Sequence, residues 1–218
     1  MGSMTSTSSE SHSEIFNRLD DRVRHVDEER WLSSRYASPE DREALVVLYA
    51  YYFELARVRL IVTDASMAAI RFQWWRDALA GLEAGKPRQH DVVLALQDQT
   101  SKGKYRFDAL QRLIDDFEDA FEAKNRFLEP EAKLAAIAAK VLVEAHSWGE
   151  AINKVAPHWA ALRRDEVSDF GPIVEKAPNA LRPAVAHFRL RKAWSAGKKL
   201  TPLSRRLSVL RAINSGRV

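Results

Sequence analysis

The sequence predicts an all-α protein, a single-domain helical bundle, and three observations carry that prediction. Apolar residues recur at helical spacing along most of the 218 residues, only eight glycines and eight prolines interrupt them, and no stretch shows the apolar–polar alternation of a strand. The apolar fraction of 46% and charged fraction of 29% are those of an ordinary globular protein, long enough for one domain with a sizeable core.

Residues 1–13 (MGSMTSTSSESHS) are small and polar without an apolar segment; they read as a disordered tail and not a secretory signal, so the helical domain is taken as 14–218. Ser38-Pro39-Glu40-Asp41 opens the first long helix: the serine can cap, proline fits the first turn, and acids follow where the helix dipole favours them. That helix runs to about 62 and holds the longest apolar run of the chain, 44–53, which predicts burial nearly all round and a place at the centre of the fold. A second helix spans about 66–84 and stops at Gly85-Lys86-Pro87; a short third covers 92–97 before a polar loop at 99–104. A fourth runs over about 107–124, and a fifth is expected from Glu129-Pro130 to about 155, with Pro157 beyond its end. Residues 163–178 look irregular. Helical pattern returns at 179–196, interrupted at Pro183, and Thr201-Pro202 opens a last helix closed near Asn214-Ser215-Gly216.

Composition excludes several chemistries. Without cysteine there is no disulfide, thiolate zinc site or cysteine nucleophile, which suits a cytoplasmic protein. The six histidines show no zinc spacing, and neither a nucleophile-elbow motif nor a phosphate-binding loop is present. The ten-residue apolar run at 44–53 falls short of the 18 or so residues of a membrane span. The net charge of +4 hides an asymmetry: residues 176–218 hold eleven Lys/Arg and no acid, leaving 23 basic against 30 acidic side chains elsewhere. A basic end on an acidic body suits contact with an anionic surface, or packing of that end against the body itself. No aromatic-interleaved basic motif supports nucleic acid as the partner.

Pro39-Glu40-Asp41-Arg42, Tyr49-Ala50, Glu54-Leu55-Ala56-Arg57-Val58 and above all Arg71, Gln73-Trp74-Trp75-Arg76-Asp77 resemble the N-terminal part of the squalene/phytoene synthase family. Within it they are most similar to the branch of the mitochondrial complex I assembly factor and its alphaproteobacterial relatives, and the closing LTPLSRRLSVLRAINSGR resembles the end of bacterial members. The resemblance implies an isoprenoid-synthase-like bundle, shortened between about 125 and 200. It also implies two facing carboxylate clusters holding Mg²⁺ on a prenyl diphosphate, and here both are lacking. The first would fall at Ala56, Arg57 and Leu60; near the second, the sole acid between His146 and Arg164 is Glu150. Metal-dependent ionisation is therefore not expected, and a pseudoenzyme binding a protein partner or an isoprenoid or anionic lipid is, with a role in respiratory-complex assembly as the branch implies.

Asp115-Asp116-Phe117-Glu118-Asp119 matches a metal-binding Asp-Asp-x-x-Asp literally, and the alternative reading is a head-to-head prenyltransferase using Asp115, Asp116 and Asp119 with Mg²⁺. On a helix wheel Leu110, Leu113, Ile114, Phe117 and Phe121 form the apolar face, which turns Asp115 and Asp119 toward solvent. Arg57, Arg59 and Arg71, with Arg76, are candidates to hold an anion directly, or to pair with Glu54, Asp77 or another internal acid. Trp74 and Trp75 are candidates to stack on a ligand or partner, or to fill the core. In the last helix Leu203, Leu207, Leu210 and Ile213 share one side, with Arg205, Arg206 and Arg211 elsewhere. That pattern fits a lipid or partner surface, with peripheral membrane contact, and equally packing against the body.

Overall fold

The computed structural model describes residues 5–124, 130–166 and 169–218, in which all regular structure is helical. In chain order the helices are α1 (Thr5–Val26), α2 (Glu28–Ser34), α3 (Pro39–Ile61), α4 (Ala65–Glu83), α5 (Asp91–Ser101), α6 (Phe107–Glu122), α7 (Glu131–Leu142), α8 (Gly149–Arg163), α9 (Arg182–Val185), α10 (Arg191–Trp194) and α11 (Pro202–Ser215).

Helix α3 is the axis, as its apolar run requires. Ser38 caps it, its side chain accepting from the Asp41 N–H at 3.1 Å, and residues 44–52 are buried without a break. Such a helix needs partners on every side, and α1, α2, α4, α5, α6 and α7 all pack against it. Two buried tyrosines place their hydroxyls on neighbouring backbone: Tyr51 donates to the Leu110 carbonyl at 3.1 Å, and Tyr105 to that of Ala44. Each such bond satisfies a polar atom that burial would otherwise leave costly.

Four expectations change in detail. Helix α1 begins at Thr5, inside the stretch expected to be a tail, and His12 on it meets Glu43 of α3 at 2.6 Å; residues 1–4 lie outside the described residues. The short third helix continues to Ser101, because Gln99 is fully buried and belongs to the packed face. The expected fifth helix is two, α7 and α8, separated at 143–148 where Val143 is extended and the Trp148 N–H donates to the His146 ring at 3.2 Å. Its first residue, Glu129, lies outside the described residues. Pro157 lies inside α8, where it removes one backbone hydrogen bond without ending the helix. Around Pro183 the chain becomes short turns: 3₁₀ segments Asn179–Leu181 and Ala186–Leu190 flank α9.

Val209 and Ala212 of α11 pack with Leu32, Ala186 and Leu190 in a second, smaller core. Gly216 ends α11 at φ 71°, its N–H on the Ala212 carbonyl and its carbonyl accepting from Ala177 at 2.8 Å. A Cβ there would lie 2.8 Å from the Ala177 oxygen and 2.9 Å from Nη2 of Arg182. Gly216→Ala should therefore destabilise the protein by about 2 kcal/mol. Calorimetry should show a fall of roughly 4–8 °C in Tm.

Candidate functional site

Beyond Tyr52 helix α3 keeps Leu55 and Val58 in the core but exposes its other side, and its last two turns form one wall of a surface cleft of about 450 Å³. Glu54, Arg57, Val58 and Ile61 stand on that wall, Ile70, Arg71, Trp74 and Trp75 of α4 on the other, and His90 also lines the cleft. The Asp64 carboxylate caps α4 by accepting from the Met67 N–H at 3.0 Å, which fixes the angle at which α4 turns back. Trp75 is buried edge-on against Tyr51, with centroids 5.4 Å apart, while half-buried Trp74 packs edge-on against Trp75 at 4.9 Å. The Arg88 guanidinium lies 5.1 Å from the Trp74 ring. Burial lowers the pKa of His90, which leaves the ring neutral at pH 7.

Glu54 is the acid of this cleft, and it is engaged: Arg22 of α1 reaches it at 3.0 Å and Arg57 at 3.7 Å. Arg71 is exposed on the opposite wall. The arrangement offers two exposed guanidinium groups beside aromatic and aliphatic side chains. Chemically that suits an anionic head attached to an apolar chain.

Of the six residues expected at a ligand, the structure brings Arg57, Arg71, Trp74 and Trp75 to this one cleft. It does not bring Arg59 or Arg76. Arg59 is half-buried with interactions of its own and does not line the cleft. Arg76 faces α6, where its Nη2 holds Asp115 at 2.8 Å and Glu118 at 2.5 Å.

The same contacts describe the DDFED segment. Asp115 is taken by Arg76, Asp116 pairs with Lys133 of α7, and Asp119 is exposed, while Phe117 turns inward 4.9 Å from the Tyr52 ring. The helix-wheel orientation holds, and the carboxylates serve as clamps between α4, α6 and α7. At the positions implied for the family's first cluster, Ala56 is half-buried and Arg57 and Leu60 are exposed; Glu150 is 80% exposed and paired with Lys154 at 2.6 Å. These residues do not fit Mg²⁺ held on a diphosphate. Among the described residues one group, His12, Glu43 and Asp98, has the mutual spacing for a metal, but Lys102 reaches Asp98 at 2.6 Å.

Sequence reasoning missed a buried ion network in the interior. Arg30 of α2, 3% exposed, donates to Asp27 and to Glu131 of α7. Arg163 of α8 reaches Asp27 and Glu29 at 3.3 Å, and Arg205 of α11 pairs with Glu28 and, at 3.4 Å, with Glu29. The Arg30 guanidinium lies 4.6 Å from the Trp159 ring centroid and 5.2 Å from that of Tyr52. His187 packs 4.8 Å from Trp159, with both ring nitrogens buried and unbonded. The charged run Asp27-Glu28-Glu29-Arg30 at the start of a short helix is the one local sign of it; Glu131 and Arg163 are too distant in sequence to be inferred. Arg205, expected on a surface, is here a half-buried tie to α2.

A family model described as squalene/phytoene synthase matches residues 23–134, from the end of α1 into α7, which includes both walls of the cleft. No curated protein matches. No solved structure matches.

Proposed function

The chain belongs to the squalene/phytoene synthase family, and on that premise we propose that it is a member that binds an anionic isoprenoid or lipid without ionising it. One observation carries this reading: where the family's chemistry calls for carboxylates on α3, a cleft presents Arg57 facing Arg71 over Trp74. Guanidinium groups bind phosphate oxygens directly, so a metal is not needed for affinity, but they leave the leaving group without the divalent charge that ionisation uses. Ile61 and Ile70, both more than half exposed, give the adjoining prenyl or acyl chain an apolar wall.

Similarity of the tryptophan-pair motif to the assembly-factor branch supports a setting in the assembly of a membrane-associated respiratory complex, with the cleft reporting or delivering the lipid. Loss of that complex in a strain lacking the protein, restored by the parent chain but not by Arg57→Ala/Arg71→Ala, is the expected result there.

The direct test is titration with farnesyl diphosphate while tryptophan fluorescence is followed. Binding should survive EDTA, and Arg57→Ala or Arg71→Ala should each weaken it about tenfold, the loss of one charge-assisted contact. Metal-dependent release of diphosphate that Asp115→Ala abolishes would overturn the proposal in favour of a prenyltransferase.

A further inference from the structure

Helix α11 turns its leucines outward. Leu203, Leu207 and Leu210 are 67%, 42% and 37% exposed, while the face that packs on the smaller core is Val209 and Ala212. On the side opposite the leucines, Arg205 ties the helix to α2 through Glu28 and Glu29. At helical spacing the row Leu203, Leu207, Leu210 continues to Asn214, and exposed Arg206 and Arg211 flank it on either side.

That row runs into a basic recess. Asn214 and Arg211 of α11 line it together with Lys176, Arg182, Arg189 and Arg217, and neither Asp nor Glu is among its lining residues. Arg182 is held rigid by the carbonyls of Ala177 at 3.1 Å and Ile213 at 2.7 Å, and Arg189 by that of Arg217 at 2.9 Å. Carbonyl oxygens fix these guanidinium groups without neutralising them. Burial lowers the pKa of Arg189, and the nearby charges of Arg211 and Arg217 add to that shift. Like charges gathered without a carboxylate cost stability, and an external anion relieves that cost.

We propose that this face docks on an anionic phospholipid surface, α11 lying in the interface with Leu203, Leu207 and Leu210 at the acyl boundary and the recess over a lipid phosphate. An apolar row bordered by arginines on both sides is the pattern of an interfacial helix. The absence of any acid after Glu175 matches a negatively charged plane more closely than a protein partner of mixed charge. The surface shares no residue with the cleft between α3 and α4, so the two readings stand or fall separately.

The test is flotation of the full chain with vesicles of phosphatidylcholine alone, or with a third of the lipid replaced by phosphatidylglycerol. Binding is expected on the anionic vesicles alone, weakened about tenfold or more on going from low to high salt. Leu207→Gln and Arg211→Gln, both exposed and away from the cores, should each reduce partitioning about tenfold. Equal retention by neutral vesicles, or undiminished binding of both α11 variants, overturns the proposal. A chain that ignores vesicles yet is retained by soluble polyglutamate also overturns it, assigning the face to an acidic protein.

Discussion

Arg30→Leu should destabilise the protein by about 3–5 kcal/mol, the cost of removing one partner from a buried ion network. Asp27 and Glu131 are each 7% exposed, and both rest on this guanidinium. Leucine also forfeits the stacking on Trp159 and Tyr52. Burial works to lower the Arg30 pKa, but Asp27 and Glu131 outweigh it and raise it, so the arginine stays charged at any accessible pH. Urea unfolding should report the loss directly. The triple change Asp27→Asn/Arg30→Leu/Glu131→Gln should recover much of it, because no charge is then left unpaired. A single variant within about 1 kcal/mol of the parent would mean that water reaches the network.

Acid should unfold the protein from a higher pH than its carboxylates alone require, and His187 is the expected cause. Burial, reinforced by the positive charges of Arg30 and Arg163 and opposed by Asp27, holds its pKa well below the ordinary value. The fold therefore accommodates the neutral ring, while the unfolded chain takes up a proton. Stability is full above the unfolded pKa of about 6.5 and should fall by up to about 1.4 kcal/mol per pH unit below it. Asp27 acts lower down: burial tends to raise its pKa, Arg163 and Arg30 outweigh that and depress it, so its contribution is lost as pH falls through its folded value. His90 and His146 are also depressed and share the upper window. The difference between parent and His187→Phe isolates His187, and Phe suits the ring packing on Trp159 and Phe188. Parallel stability curves for the two proteins between pH 6.5 and 4.5 would refute the assignment.

The candidate cleft was partly legible in advance. Arg57, Arg71, Trp74 and Trp75 belong to the motifs that carry the family resemblance, and local spacing was enough to gather them where one helix turns back on the next. Arg76, one residue on from Trp75, points about 100° away on the helix and is claimed by α6 instead. Nothing within 66–84 distinguishes a guanidinium facing solvent from one facing a carboxylate 39 residues away.

By itself the sequence determined the helical class, the burial of α3 and the outward turn of Asp115 and Asp119, because each rests on apolar periodicity within a single helix. The tertiary structure decided what depends on partners far along the chain. Both sides of α11 carry apolar residues, and the leucine row faces out because the other side packs Val209 and Ala212 on Leu32, Ala186 and Leu190 while Arg205 meets Glu28, 177 residues earlier. The interior is likewise filled by Arg30, whose partner Glu131 lies 101 residues on. Periodicity says that a face is apolar; only the long-range pairing of buried charges, which cannot be left uncompensated, fixes which face is covered.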